Sequence, residues 1–221
     1  FAITFAFITL SFRGGAQYKP LDIIQAGQYA KGKNIALVLN TPFSIIKTLN
    51  DKGLEKKNYF SEKDLASIYS PIQSFTKDSV LRNSNVVILI MESFSKEYIG
   101  VYNNNQTFTP FLDSLINHSL SFKKSFANGK KSIEALPSIL SGIPSLMNDS
   151  YISSKYGSND INSLASTLKK YNYTSTFYHG GANGTMGFDA FTSLAGFDRY
   201  LGLNEYPNDN DYDGNWGIFD E

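Results

Sequence analysis

The stretch "SNVVILIMESFS", residues 84–95, sets six apolar, mostly β-branched side chains between Asn85 and Glu92. An apolar run without alternation is the pattern of a strand buried on both faces, as in a parallel sheet. It predicts a central parallel strand over residues 86–91. Glu92 would then stand at the carboxyl end of that strand, the edge at which α/β sheets gather their ligands. A lone acid closing a strand is as readily a solvated charge, so Glu92 acquires a role only in company.

Working outward, "TPFLDSLINHSLSFKKSFANG" puts Phe111, Leu112, Leu115 and Ile116 on one helical face. Further on, "DINSLASTLKKYNYTSTFYHGG" predicts a helix from about Asp160 to Lys170, capped by Asp160 or Asn159, and then a strand near residues 174–178. Strand, helix and strand in this order predict an α/β fold, a central and mostly parallel sheet flanked by helices. No internal repeat is visible.

Upstream, residues 1–12 carry only Thr and Ser as polar interruptions before Arg13. They fall short of the about 20 apolar residues that span a bilayer, and they lack the initiator Met and basic region of a signal peptide. The segment reads as the outer end of a transmembrane helix, with a buried strand as the alternative. Residues 13–82 mix short helical spacings with polar, aromatic-studded stretches and read as an extracytoplasmic linker. Residues 83–221 form the domain proper.

The chain of 221 residues holds 20 basic and 20 acidic side chains, so no net field draws it to nucleic acid, and a charged ligand must be recognised locally. The absence of cysteine excludes a thiol nucleophile, a thiolate metal site and a disulfide framework.

The chemistry concentrates in "FANGKKSIEALPSILSGIPS", residues 126–145. Ser132 directly precedes an apolar run, the usual place of a helix N-cap. Backbone N–H groups at a helix start, together with Lys130 and Lys131, also make a phosphate-binding environment. Pro137 either kinks this helix or opens it after a tight turn, and both versions keep Ser132 at its N-terminal edge. Ser138, Ser141 and Ser145 fall within the apolar run and are expected to bond to the backbone. A serine hydroxyl needs a base or a metal to become a nucleophile. No His lies nearby, and a divalent cation held by Glu92 would serve.

Taken together, "NVVILIMESFS" and, some forty residues later, "NGKKSIEALPSILSGIP" resemble the alkaline phosphatase/sulfatase superfamily, and within it the lipoteichoic acid synthase-like phosphoglycerol transferases. The resemblance implies that Glu92 binds a divalent metal (Mn, Mg or Zn), and that Ser132 is both metal ligand and nucleophile. It extends over "FYHGGANGTMGFDAFTSLAGFDRYLG", where His179 matches a histidine beside the substrate phosphate and glycerol. Asn183 and Asp189 are further substrate-binding candidates, as is Lys131 in the basic turn. Met186 and Phe188 stand where some relatives carry Trp and Arg. The terminal "DGNWGIFDE" is also similar to the family. An Asp-His pair that completes the family's metal site is not found in this sequence, whose two histidines are His118 and His179. The catalytic domain therefore reads as truncated at its C-terminus, and the isolated chain is expected to be inactive and to bind divalent metal poorly.

Four functions compete. The first is a membrane-tethered, extracytoplasmic phosphotransferase, moving phosphoglycerol from a lipid-linked donor to a glycan or glycolipid acceptor through a phosphoserine. The second is a sulfatase or phosphatase on the same fold. A formylglycine sulfatase wants Pro and Arg at the second and fourth positions after the reactive residue, here Glu134 and Leu136. A phosphoethanolamine transferase shares the logic but usually carries disulfides. The fourth is a non-catalytic relative.

Overall fold

The structure is a computed structural model that describes residues 1–16, 23–30, 34–50, 53–70, 72, 74, 84–104 and 108–219. Its helices are α1 (Ala2–Arg13), α2 (Ala26–Tyr29), α3 (Ile35–Val38), α4 (Thr41–Thr48), α5 (Glu62–Ile68), α6 (Pro110–Asn117), α7 (Ser132–Ser141), α8 (Leu164–Lys169) and α9 (Phe188–Leu194). Two strands, β1 (Thr176–Tyr178) and β2 (Arg199–Leu201), form a parallel sheet. The chain divides into two units, Phe1–Leu54 with Ala127–Glu221, and Glu55–Phe126.

In the first unit the α/β class takes its smallest form. β1 and β2 pair in parallel with Phe177 opposite Tyr200, and such a pair needs a crossover connection. Residues 179–198 make that connection and contain α9. The helix offers Phe188, Phe191 and Leu194 at helical spacing, with Ala190 and Ala195 filling between them, and all five are buried. Thr192 is buried among them without penalty, because its hydroxyl donates to the Phe188 carbonyl at 2.7 Å. Ile24 and Ala26 join the same core, as do Leu136 and Leu140 of α7 and Ile152. The start of the expected linker, at residues 23–26, therefore packs beneath α9.

α7 runs unbroken through Pro137, which sits inside the helix and is buried. α8 starts later than the spacing suggested, at Leu164, and its cap is Ser163, not Asp160 or Asn159. Ser163 and Ser166 exchange reciprocal side chain to backbone bonds, and the Ser163 hydroxyl also donates to the Ala195 carbonyl at the end of α9. A tertiary bond to α9 thus fixes a boundary that local propensity placed three residues too early.

The expected strand at residues 86–91 is a correction. In the second unit these residues enter no sheet ladder, and their side chains are exposed, Val87 to 79% and Leu89 to 82%. An apolar β-branched run encodes a preference for two-sided burial, but its ladder bonds must come from neighbouring strands, and none of the unit's described residues supplies one. α6 forms where Phe111, Leu112, Leu115 and Ile116 share a face, with Pro110 in its first turn, although Phe111 and Leu115 remain exposed.

Residues 2–13 form a helix, not the alternative strand, and Gly14 closes it in a left-handed conformation. No described helix is long and apolar enough to cross a membrane.

One ion pair joins α8 to the loop before β2. Lys169 meets the Asp198 carboxylate at 2.5 Å, and the Ser175 N–H and hydroxyl donate to its other oxygen. These contacts, the lysine first, hold Asp198 down to about 2. A depressed carboxylate contributes stability above its unfolded value of about 3.9, and the contribution is lost as pH falls toward the folded value. The pair is partly solvated, so its worth is at most about 1 kcal/mol. Asp198→Asn should therefore lower stability slightly at neutral pH and flatten its acid dependence between about pH 4 and about pH 2. Urea midpoints followed across pH check this, and an unchanged acid slope would remove Asp198 from the account.

Candidate active site

Ser132 is the first residue of α7, and Lys131 is the N-cap, with no side-chain cap bond. Lys130 and Lys131 are exposed, whereas Ser132 is half-buried. The turn before the helix is held at both ends. Asn128 accepts from the Ser145 N–H, and the Glu134 carboxylate reaches back to accept from the Lys130 N–H at 2.7 Å. Glu134 occupies the third helical position, from which an acid ordinarily completes a capping box. Here it bonds one residue further upstream and places a negative charge beside the two lysines. The K-x-x-E spacing of Lys131 and Glu134 is the sequence signal for this contact. Ser138, as expected, bonds to backbone, donating to the Glu134 and Ile143 carbonyls, whereas the buried Ser141 hydroxyl, against expectation, has no hydrogen-bond partner among the described residues.

A second cluster forms where β1 ends. His179 extends the ladder by donating its N–H to the Leu201 carbonyl at 2.9 Å. Its imidazole packs edge-on against Phe188 with centroids 5.0 Å apart, and Nδ1 lies 3.0 Å from the Tyr200 hydroxyl. Burial lowers the His179 pKa, and the charge of Asp189 opposes that shift. Tyr200 is pushed up by burial and by the charges of Asp189 and Glu205. Asp189 stands in the first turn of α9, where the helix dipole favours an acid, and it accepts from the Ala190 N–H at 2.8 Å. Asn183 is held in a clamp. Its amide donates to both Glu205 oxygens at 3.1 Å, and its carbonyl accepts from the Asn204 N–H at 3.3 Å. The Gly202 N–H and Asn183 hold the Glu205 carboxyl below the usual range. Tyr200 carried no sequence signal, because only the parallel register of β1 and β2 brings it to His179.

The glycines after His179 admit a neighbouring segment. Ile218 donates its N–H to the Gly180 carbonyl at 2.9 Å, seating a short hairpin whose turn is tied by Asp213 Oδ1 accepting from the N–H groups of Asn215, Trp216 and Gly217. Those bonds lower the Asp213 pKa. The hairpin is the "DGNWGIF" part of the terminal motif; Asp220 and Glu221 lie outside the described residues.

Glu92 belongs to the second unit and Ser132 to the first, so each has its geometry within its own unit. Glu92 is exposed in a turn, where the Ser93 hydroxyl donates to it at 3.3 Å and Ser93 itself has a left-handed φ of 52°. Among the described residues no group of three or more His, Asp or Glu side chains could hold a metal ion. Glu92 and Ser132 offer two oxygen donors, whereas a catalytic cation takes three or more protein groups. The described residues do not fit a complete metal site by themselves.

Comparison with known proteins identifies residues 84–221 with the family model described as Sulfatase. Among solved structures, the lipoteichoic acid synthase LtaP from Listeria monocytogenes is similar at 24% identity and a TM-score of 0.48, over 54% of this chain and 30% of that one. The chain thus spans under a third of that protein's length. No curated protein matches.

The seat of the hairpin gives a steric prediction. A Cβ at Gly217 would lie 2.6 Å from the Gly180 carbonyl oxygen, and Gly217 is not among the glycines of positive φ. Gly217→Ala should therefore cost about 1–3 kcal/mol through overpacking, not backbone strain. Urea unfolding measures this. Wild-type stability would mean that the hairpin does not sit on the His179 turn.

Proposed function

We propose that this chain, which belongs to the sulfatase family, carries the nucleophile and the phosphoryl-binding part of a membrane-tethered, extracytoplasmic phosphoglycerol transferase. The observation that carries the proposal is the placement of Ser132 at the first position of α7 behind exposed Lys130 and Lys131.

In this mechanism the Ser132 hydroxyl attacks the phosphorus of a lipid-linked phosphoglycerol. The Ser132 Oγ–P bond forms, and the lipid alcohol leaves with a proton. A hydroxyl of the glycan or glycolipid acceptor then attacks the phosphoserine, releasing Ser132 with its proton restored. The helix start and the Lys131 ammonium stabilise the charge that gathers on the phosphoryl oxygens. His179, neutral through burial, offers a hydrogen bond to the phosphate or glycerol without a further charge. Asp189 and Asn183 shape that end of the site, Asp189 through its field on His179 and Asn183 through its clamp on Glu205. A divalent cation, Mn, Mg or Zn, would supply Lewis acidity. Glu92 in the second unit and Ser132 in the first are each candidate oxygen donors to such a cation.

The Glu134 carboxylate bears on the choice among reactions. It partly neutralises the basic turn, which suits the single negative charge of a phosphodiester better than the double charge of a phosphate monoester. The same side chain stands where a formylglycine sulfatase would carry Pro.

Ser132→Ala in the full-length protein should reduce transfer from a labelled phosphoglycerol lipid to background. Its effect on stability should stay small, because even a true cap is worth about 0.5–2 kcal/mol. Transfer at a near-normal rate by a folded Ser132→Ala protein would leave Ser132 as a structural residue and end the proposal.

A further inference from the structure

We propose that Tyr200 is a positioning residue, whose phenol donates its proton to Nδ1 of His179 and thereby fixes the imidazole as the Nε2–H tautomer, a neutral donor for a phosphoryl oxygen. What the donor is for rests on the proposed function above. The tautomer itself rests on geometry alone.

The two side chains meet because β1 and β2 pair in parallel. Phe177 faces Tyr200 in the register, their rings stack at 15° and 5.8 Å, and this holds the phenol beside the next residue but one, His179. Phe188 from α9 closes on the imidazole edge, so the ring is gripped from the strand side and the helix side. Gly181 completes the grip, since a Cβ there would lie 2.8 Å from the imidazole Cε1.

The direction of the bond follows from what each group can do. A neutral imidazole has one N–H donor and one bare nitrogen, and a phenol can donate or accept. Among the described residues the Tyr200 hydroxyl bonds only to His179 Nδ1, at 3.0 Å. If Nδ1 carried the proton, the phenol proton would lose that acceptor in a half-buried place, which is unfavourable. With the phenol donating, both groups are satisfied and Nε2 carries the proton. The charged groups that act on the pair are Asp189 on α9 and Glu205 after β2. Both keep the Tyr200 proton in place, and burial of His179 outweighs the pull of Asp189 towards imidazolium.

The other histidine is an internal contrast. His118 Nδ1 lies 2.8 Å from the Ser114 carbonyl, which can only accept, so its proton belongs on Nδ1. The two histidines are thus expected to favour opposite tautomers when neutral.

Long-range proton–nitrogen NMR of the isotope-labelled chain in mildly alkaline buffer reads both rings directly. The expected result is Nε2–H for His179 and a bias to Nδ1–H for His118. In Tyr200→Phe, which keeps the ring stacked on Phe177, His179 should become a mixture of tautomers while His118 is unchanged. A predominantly Nδ1–H His179, or a Tyr200→Phe spectrum identical at His179, overturns the proposal. Should that variant fail to fold, the wild-type chain still decides the matter. A coupling across the hydrogen bond from the Tyr200 hydroxyl proton to His179 Nδ1 supports it, and a hydroxyl proton in fast exchange with water contradicts it. Titration with glycerol phosphate then separates the lock from its use. Movement of the His179 Nε2 resonance supports the use, and a locked but unresponsive ring overturns it without touching the assignment of Ser132.

Discussion

Burial of α9, the helix that connects the two paired strands, is the constraint on which the first unit depends. Ala190, Phe191 and Thr192 have no exposed surface, and a buried phenylalanine of this kind contributes about 1.5–3 kcal/mol. Because the helix is the crossover, its packing also sets the pairing of β1 with β2. That pairing puts Tyr200 beside His179, while the first turn of α9 brings Phe188 and Asp189 to the same imidazole. α7 adds Leu136 and Leu140 to the same cluster, so the helix that begins at Ser132 is anchored on the core that supports His179. A hydrophobic substitution deep in α9 would disturb site geometry as well as stability.

The electrostatics divide into two regimes. At the start of α7, exposed lysines and a helix terminus act in solvent, and Glu134 draws their field down. Around His179 the imidazole, Tyr200, Asn183 and Asp189 are half-buried, Glu205 is exposed, and defined hydrogen bonds orient them within the field of the two carboxylates. The proposed substrate, an anion of low charge that carries hydroxyls, accords with both regimes.

Much of this was legible in the sequence, for identifiable reasons. Ser132 at a helix edge followed from a polar residue before an apolar periodic run, and β1 with His179 at its end followed from a short aromatic, β-branched stretch closed by two glycines. The ladder expected for residues 86–91 did not follow, because hydrogen-bonding partners are a property of neighbouring strands and not of the run itself. The start of α8 was misplaced because Ser163 caps it while bonding to Ala195, thirty-two positions away. Tyr200 and Glu205 escaped for the same reason. Long-range pairing gives them their partners, and no local periodicity marks it.

The central claim, that Ser132 receives the phosphoryl group, is tested most directly by trapping. The full-length protein is incubated with the lipid donor in the absence of acceptor, quenched in acid and digested for peptide mass spectrometry. The account predicts a phosphoglycerol adduct confined to Ser132, in the peptide that follows Lys131. An adduct on Ser138, Ser141 or Ser145, or turnover with no adduct at any serine, would contradict it.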